Sequence, residues 1–521
     1  MTLEQEYDYI VIGTGSAGSI VARRLVDSDV GRVLVVEAGP TDRGAAEIHE
    51  PLGWRSLWGG DYDWGYSSVP QEQLGGRTIA WPRGKVIGGS SSLNGMIYIR
   101  GHRLVYDEWA AQGCYGWSWD SVLPLFLRSE RYSGGASQWR GTSGPQPVER
   151  LPRDNPLTLA FIEAANDLGI PSTDDFNGDR LEGVGVVDTT TYKGERWSAG
   201  RSFLWPIEGN PRLALATNTR ATRLVITNGE CVGVELVDQG GDVHIVTARK
   251  EVILSAGTIE SPAILMRSGI GPHDRLRPLE IRTVVDAPGV GENLHDHNIS
   301  PVVFESPGEL PPRRGNSMDT MIFWKTHPSL AMTDLQPLLM HFARPAEGYR
   351  EPPHGFTIGN GLSRPKSRGR LTLRSADPFD KPIVDAAYLS HRYDREAIVS
   401  GLKLVIELGM HRALRPFCSG MVAPGPDELT DEGLLAFSRR TLITYHHLVG
   451  TNRMGVDDEA VVDPELRVVG VSGLRVADAS VMPTIPNVHT HAPTMMIGEK
   501  AAELILGDRL VVTGWDGTVL R

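Results

Sequence analysis

A chain that opens on a glycine-rich turn between two apolar strands has few folds open to it. Gly13-Thr14-Gly15-Ser16-Ala17-Gly18 follows directly on the apolar run Tyr7–Ile12 (YDYIVI) and precedes Ser19–Val26 (SIVARRLV), which has helical periodicity. Arg32–Glu37 (RVLVVE) then reads as a second buried strand ending in a carboxylate. Strand, glycine turn, helix and strand in this order predict a βαβ unit with parallel strands. Each glycine has its own reason. Gly13 permits the tight turn, Gly15 lets a pyrophosphate approach the backbone, and Gly18 lets the helix pack closely on the strand. The new helix offers free N–H groups and its positive end to phosphates, so Gly13, Gly15, Ser16, Ala17 and Gly18 are the expected contacts there. Glu37 lies 19 residues beyond Gly18, where a carboxylate can bind both ribose hydroxyls, and Ala38 adjoins it. A carboxylate at that position disfavours NADP, but the unit alone does not separate NAD from FAD.

The 521-residue length allows about three domain-sized units. Acidic side chains outnumber basic ones by 64 to 52, a formal net charge of -12, which argues against nucleic acid or an anionic membrane as a main partner. Cys114, Cys231 and Cys418 are sparse and form no C-x-x-C pair, so they read as reduced buried thiols. The acidic Met1–Glu6 segment shows no export-signal pattern. No run approaches the ~20 apolar residues of a membrane helix, and the expectation is a cytoplasmic soluble protein. Seven of the twelve tryptophans fall between Trp54 and Trp119, among Gly, Pro and Ser; that stretch reads as a long ordered loop wrapping a ligand. Strand patterns return at Leu213–Ala216, Ala221–Ile226, Val232–Val237 and Glu251–Leu254. The Pro- and Arg-rich region from Asn298 to Asp431, with runs such as Arg370–Leu373, reads as a second domain. From Leu474 the first pattern resumes as a strand, a loop and a terminal helix near Thr494–Leu506.

Three further segments complete a set. They are Gly84-Lys85-Val86-Ile87-Gly88-Gly89-Ser90-Ser91-Ser92-Leu93-Asn94-Gly95, then Ser255-Ala256-Gly257-Thr258-Ile259-Glu260-Ser261-Pro262, then His447-Leu448-Val449-Gly450-Thr451 with His491-Ala492-Pro493-Thr494. With the N-terminal turn they run from end to end of a chain that resembles the glucose–methanol–choline (GMC) family of FAD-dependent oxidoreductases. The resemblance implies an α/β fold, with a Rossmann-type FAD-binding domain and a discontinuous α+β substrate domain built on an antiparallel sheet. The expected division is 1–155, 207–297 and 435–521 for FAD, and 156–206 and 298–434 for substrate. Clustered Gly and Ser in Gly84–Gly95 can turn N–H groups inward as an anion-binding nest. The resemblance lays that loop along the flavin, with Gly84, Val86, Gly89, Ser90, Asn94, Gly95 and Met96 as contacts and Asn94 near the reacting edge. It adds Ala221 on the adenine side, Ala256 in the segment Ser255–Gly271, which otherwise reads as architectural, Asp478 and Ala479 near the pyrophosphate and ribityl chain, and Pro493 and Thr494 at the terminal helix. Asp478 reads equally well as a helix or loop cap. Some family members attach FAD covalently through a histidine in the loop; Leu93 stands here, so non-covalent FAD is expected.

Oxidising an alcohol requires removing the hydroxyl proton while a hydride leaves the same carbon. A neutral histidine suits the proton step, and by resemblance flavin N5 takes the hydride. His447 matches the family's base by its spacing to Gly450-Thr451, and His491 matches the second member by its spacing to Thr494. His446 and His489 adjoin them and are the rivals. A metal on His489 and His491 lacks a third ligand at a credible spacing and is set aside. The positive end of the terminal helix can stabilise negative charge on the reduced flavin. The reading is oxidation of a small primary, aryl or sugar alcohol to the carbonyl, with oxygen or a quinone-like acceptor taking the electrons. Histidine at 491, where many relatives carry asparagine, makes a choline-type substrate less attractive. Two alternatives stay open: lyase or photodecarboxylase chemistry on the same fold, and a flavin-binding protein without turnover.

Overall fold

In the computed structural model, which describes residues 3–520, the Glu6–Ile12 strand pairs in parallel with Val33–Val36 on one side. On its other side lies the C-terminal half of Val243–Leu254. Leu213–Ala216 adds outside Val33–Val36, and Leu474–Val476 outside Val243–Leu254, both in parallel. Numbered along the chain, these five strands lie in the order 3-2-1-4-5. The order reverses between Glu6–Ile12 and Val243–Leu254, so their carboxyl ends, leading into Gly13 and Ser255, border the crevice in which such sheets bind ligands. Val33–Val36 is buried throughout, as a parallel strand covered on both faces must be.

The Val243–Leu254 strand also serves a second partner. Its first half pairs antiparallel with Glu230–Val237, which pairs with Arg220–Thr227. Only the Glu251–Leu254 end is visible as an apolar run; the earlier residues are largely half-buried or exposed along the ribbon.

The second sheet is antiparallel, in the order Gly420–Ala423, Asn298–Glu305, Gly355–Leu362, Leu338–Met340, Thr320–Phe323 and Gly183–Val186. Ile443–Thr444 also pairs with the start of Asn298–Glu305, which brings the chain just before His447 onto this sheet. The helix Arg392–Gly409 covers it at close range: a Cβ on Gly409 would lie 2.0 Å from the Phe304 ring. Arg370–Thr372 does not join, and instead forms a separate pair with Ile383–Asp385.

The tryptophan-rich stretch is not one loop. Trp81, Trp109 and Trp117 are fully buried core residues, and Arg103–Ala111 is a helix. Cys114 and Cys231 are buried free thiols, while Cys418 is only half-buried. Among the described residues no helix is long and apolar enough to cross a membrane.

The terminal helix starts at His491, three residues ahead of the apolar pattern, and runs to Leu506. It packs across the first helix, Gly18–Asp27. Gly498 makes that crossing close, since a Cβ there would lie 2.8 Å from the Ala17 carbonyl oxygen. One residue on, Glu499 receives Arg24 Nη2 at 2.6 Å and Nε at 3.1 Å, with both side chains fully buried. Ser129 Oγ donates to the same carboxylate at 2.7 Å. Burial works to raise the Glu499 pKa, yet the Arg24 charge and hydrogen bonds hold it below the ordinary carboxylate value. Removing one partner of such a pair leaves a buried charge uncompensated. Glu499→Ala should therefore lower unfolding stability by about 3–5 kcal/mol in urea titrations, and Arg24→Leu with Glu499→Leu should recover much of the loss. A cost for Glu499→Ala below about 1 kcal/mol, the range of exposed pairs, would show that the pair does not hold the two helices together.

Candidate active site

The glycine turn separates into two kinds of position. Gly13, at φ +99°, would place a Cβ 2.4 Å from the Ser255 carbonyl oxygen, and Gly18 would place one 2.1 Å from the Gly13 oxygen. Both serve the protein's own packing. A Cβ on Gly15 would meet nothing within 4 Å, and the same holds for Gly257 across the crevice. Their backbone is open for something other than protein, which is the room a dinucleotide phosphate bridge needs. The buried Glu37 closes this end. Its carboxylate accepts from Thr14 N (3.1 Å), Thr14 Oγ1 (2.5 Å) and Gly39 N (2.9 Å). Burial pushes its pKa up against those hydrogen bonds. Glu37 thus braces the turn as well as facing the cleft, and Oε1, which accepts only from Gly39 N, keeps a lone pair for a ribose hydroxyl. The residues fit FAD.

One cleft runs from this turn to the C-terminal histidines. Gly13, Gly15, Ser16, Ala17, Glu37, Ala38, Gly84, Gly89, Ser90, Asn94, Gly95 and Met96 lie on its wall. So do Ala221, Ala256, Asp478, Ala479 and Thr494, together with both His447 and His491. Three expected contacts are elsewhere. Gly18 sits beneath the turn against Gly13. Val86 packs with Ala45, Ile48, Leu57 and Leu93 in an apolar cluster. Pro493 is buried within the first turn of the terminal helix. Asp478 does what a cap does: its carboxylate accepts from Gly257 N (2.8 Å) and Ser261 Oγ (2.5 Å) at the start of the helix Gly257–Arg267, and from Ser480 N (2.8 Å).

The loop Gly84–Gly95 ends in a short 3-10 turn, Gly89–Ser92. Asn94 Oδ1 then accepts from Met96 N at 3.0 Å, which holds Met96 at φ +61°, a conformation a non-glycine residue adopts only under constraint. Behind it the buried Arg196 donates to Asn94 Oδ1 (2.9 Å) and to Asn94 O (2.6 Å). Arg196 has no sequence motif of its own, and only the fold places it under Asn94.

At the other end His447 is fixed from three sides. Its backbone N–H donates to Asp296 Oδ1 at 2.8 Å, its ring stacks on Tyr445 at 5.4 Å, and its Nδ1 is hydrogen bonded to His297 Nδ1 at 2.9 Å. Asp296 Oδ2 accepts from Thr444 Oγ1 (2.5 Å) and from the Tyr388 hydroxyl. His491 Nδ1 is hydrogen bonded to Ser16 Oγ at 2.8 Å, while its buried Nε2 has no protein partner. His446, at φ +67°, also borders the cleft, with its ring against Trp58 at 4.5 Å. His489 lies 4.7 Å from the His447 ring, and because His491 begins a helix the two do not share an extended segment. Among the described residues no cluster of three His, Cys, Asp or Glu side chains could hold a metal. The histidine and carboxylate partners of His447 were missed in the sequence although a signal exists: Leu294-His295-Asp296-His297-Asn298 puts titratable residues at the head of an otherwise apolar strand.

The GMC oxidoreductase profiles match residues 7–299 and 365–498. An oxygen-dependent choline dehydrogenase of Sinorhizobium fredii is 41% identical, over 96% of this chain and 95% of its own. Among solved structures, pyridoxine 4-oxidase from Mesorbium loti superposes with a TM-score of 0.91 at 33% identity, covering 95% of this chain and 98% of that one. A formate oxidase of Aspergillus oryzae, studied for modification of its FAD, gives 0.90 at 27% identity over 98% and 99%.

Burial dominates the electrostatics here. It lowers the pKa of His447 well below the usual value, aided by His489, His297, His446 and Arg83. It takes His491 down to about 4, His489 to about 3 and His297 to about 3, and lowers His295 and His446 strongly as well. These six rings are neutral in the fold, whereas in the unfolded chain they take protons near pH ~6.5. Below that pH the unfolded state binds more protons, so the stability present above it is lost as the pH falls. Asp296, raised by burial to about 6, opposes this with one proton. The melting temperature should therefore fall steadily from pH ~7.5 to ~5.5, and a flat or rising profile over that range would contradict a buried neutral cluster.

Proposed function

We propose a reaction for a chain that belongs to the GMC oxidoreductase family: as an FAD-dependent alcohol oxidoreductase it converts an alcohol to its carbonyl, and His447 takes the hydroxyl proton. FAD, when bound, supplies the hydride acceptor. One observation carries the assignment, the Nδ1-to-Nδ1 hydrogen bond between His447 and His297. Two neutral rings share one proton in that bond. With the proton on His447 Nδ1, its Nε2 carries the free lone pair that a base needs, and His297 keeps its own proton on Nε2. Stacking on Tyr445 and the tether to Asp296 hold the imidazole in one orientation, so the proton-accepting nitrogen is positioned before substrate arrives. His491, fixed through Nδ1 by Ser16, presents its unpartnered Nε2 as a second hydrogen-bonding group for the alcohol oxygen. Oxygen or a quinone-like acceptor removes the electrons.

The cofactor side rests on the open glycine turn, on Glu37 and on the Gly84–Gly95 loop; a division of the chain at 155, 206, 297 and 434 separates the two large sheets, although Ile443–Thr444 pairs across it and so does Asp188–Thr189, with Ile97–Tyr98 and Glu149–Arg150. FAD is held without a covalent bond at Leu93, which is buried in an apolar cluster and has no nucleophile. Acid precipitation should release all the flavin into the supernatant; flavin remaining on the denatured chain would place an attachment elsewhere.

His447→Ala should slow anaerobic flavin reduction by about 10²–10⁴-fold, the usual contribution of a general base, with FAD content near normal. His491→Asn should be milder because asparagine still hydrogen bonds an oxygen. His446→Ala should leave the reduction step close to wild type. Loss of reduction in His446→Ala with His447→Ala unaffected would move the base by one residue, and normal reduction in both would refute the proton step.

A further inference from the structure

The histidine end of the cleft is walled by Trp54, Trp58, Met318, Leu338 and Met340, broad apolar surfaces suited to an aromatic-sized body. Arg344 is set into that wall as well. Arg344 is held in place by its backbone N–H, which donates to Thr357 Oγ1 at 2.8 Å. Its guanidinium has no carboxylate within salt-bridge distance among the described residues. Burial pulls its pKa down to about 10 and Arg55 acts in the same direction, so it remains charged at neutral pH. Both Arg344 and Arg83 bear on His446, the residue next to the proposed base. A half-buried charge without a partner is costly to desolvate further, and this one lines the same cleft as His447.

The carboxylates on the cleft wall do not offset it. Glu37 is engaged by Thr14 and Gly39, Asp478 by Gly257 and Ser261, and Glu260 by Arg267 and the Tyr66 hydroxyl. Of the other two cations on the wall, Arg83 is faced by Asp296 and Asp63 and Arg220 by Glu260, whereas no acid faces Arg344.

Resting on the alcohol oxidation proposed above, we infer that the cleft selects alcohols whose apolar body carries an anionic group such as a carboxylate, with Arg344 as the residue that recognises it. A quaternary ammonium alcohol of the choline type would set a second cation beside a guanidinium that already lacks a counter-charge. Trp54 and Trp58 offer indole faces that can attract a cation, so a cationic probe is one arm of the test.

Binding can be read without turnover. The oxidised holoenzyme is titrated with benzoate, benzamide and benzyltrimethylammonium while perturbation of the flavin spectrum is followed. Benzoate should bind at least about tenfold more tightly than benzamide, the equivalent of one charge-assisted hydrogen bond, and the cation more weakly than either. Arg344→Gln should bring the benzoate-to-benzamide ratio close to one, while Arg344→Lys should retain part of it. Equal binding of benzoate and benzamide, preference for the cation, or a ratio unchanged in Arg344→Gln would overturn the inference. Anaerobic reduction by 4-(hydroxymethyl)benzoate and by benzyl alcohol then separates the two claims. Reduction by both without a preference for the carboxylate counts against Arg344 alone. Preferential benzoate binding with no reduction by either alcohol counts against the oxidation.

Discussion

Arg24 and Glu499 are 475 positions apart in the chain and meet fully buried, arm to arm. The rest of the site depends on that meeting. It sets the height and rotation of the terminal helix on the first helix, and Gly498 lets the two backbones touch at Ala17. Two turns back along the terminal helix is His491, whose ring reaches Ser16 in the glycine turn. One ion pair thereby joins the phosphate-side turn to a histidine of the reacting end. Desolvated ion pairs add little net stability against apolar packing. What this one supplies is a fixed relation between two helix starts, and a cofactor lying across both needs that relation.

The reacting end obeys a second constraint, the exclusion of water around the histidines. Burial keeps His447 neutral far below the pH at which a free imidazole would charge, so a lone pair is available throughout the working range. Burial alone would leave the ring orientation open. His297, Tyr445 and Asp296 remove that freedom by engaging Nδ1, the ring face and the backbone N–H in turn. Asp296 accepts from Tyr388 and Thr444 as well, so both strands of the antiparallel sheet at this point, Asn298–Glu305 and Ile443–Thr444, help to aim the His447 ring.

Much of this was legible in the chain, for physical reasons. The glycine turn is legible because three steric demands fall on three fixed positions, and the parallel strands because a strand covered on both faces must be apolar throughout. His447 and His491 are marked by their spacing to Gly450-Thr451 and to Thr494 in a chain that resembles the family, and the fold brings both to one cleft. Residues whose roles come from meeting in space leave no local trace: Arg196 beneath Asn94, Arg344 in the apolar wall, and the Arg24–Glu499 pair. The long strand Val243–Leu254 was half hidden because its first half is an exposed ribbon with no periodic apolar face. Val86 and Pro493 carry the motif without touching the cleft, since each is consumed by packing. A motif reports which segment approaches a ligand, and packing decides which of its side chains do.

The central claim is that His447 meets the alcohol through Nε2 because His297 occupies its Nδ1. A crystal structure of the holoenzyme with its flavin chemically reduced, soaked with an alcohol substrate, tests this directly, because a reduced flavin cannot accept a hydride and the alcohol stays intact. The expected result is an alcohol oxygen within about 2.6–3.2 Å of His447 Nε2, with His491 Nε2 as its second partner and the His447–His297 bond retained. An alcohol oxygen on His446, or a His447 ring rotated so that Nδ1 faces the substrate, would contradict it.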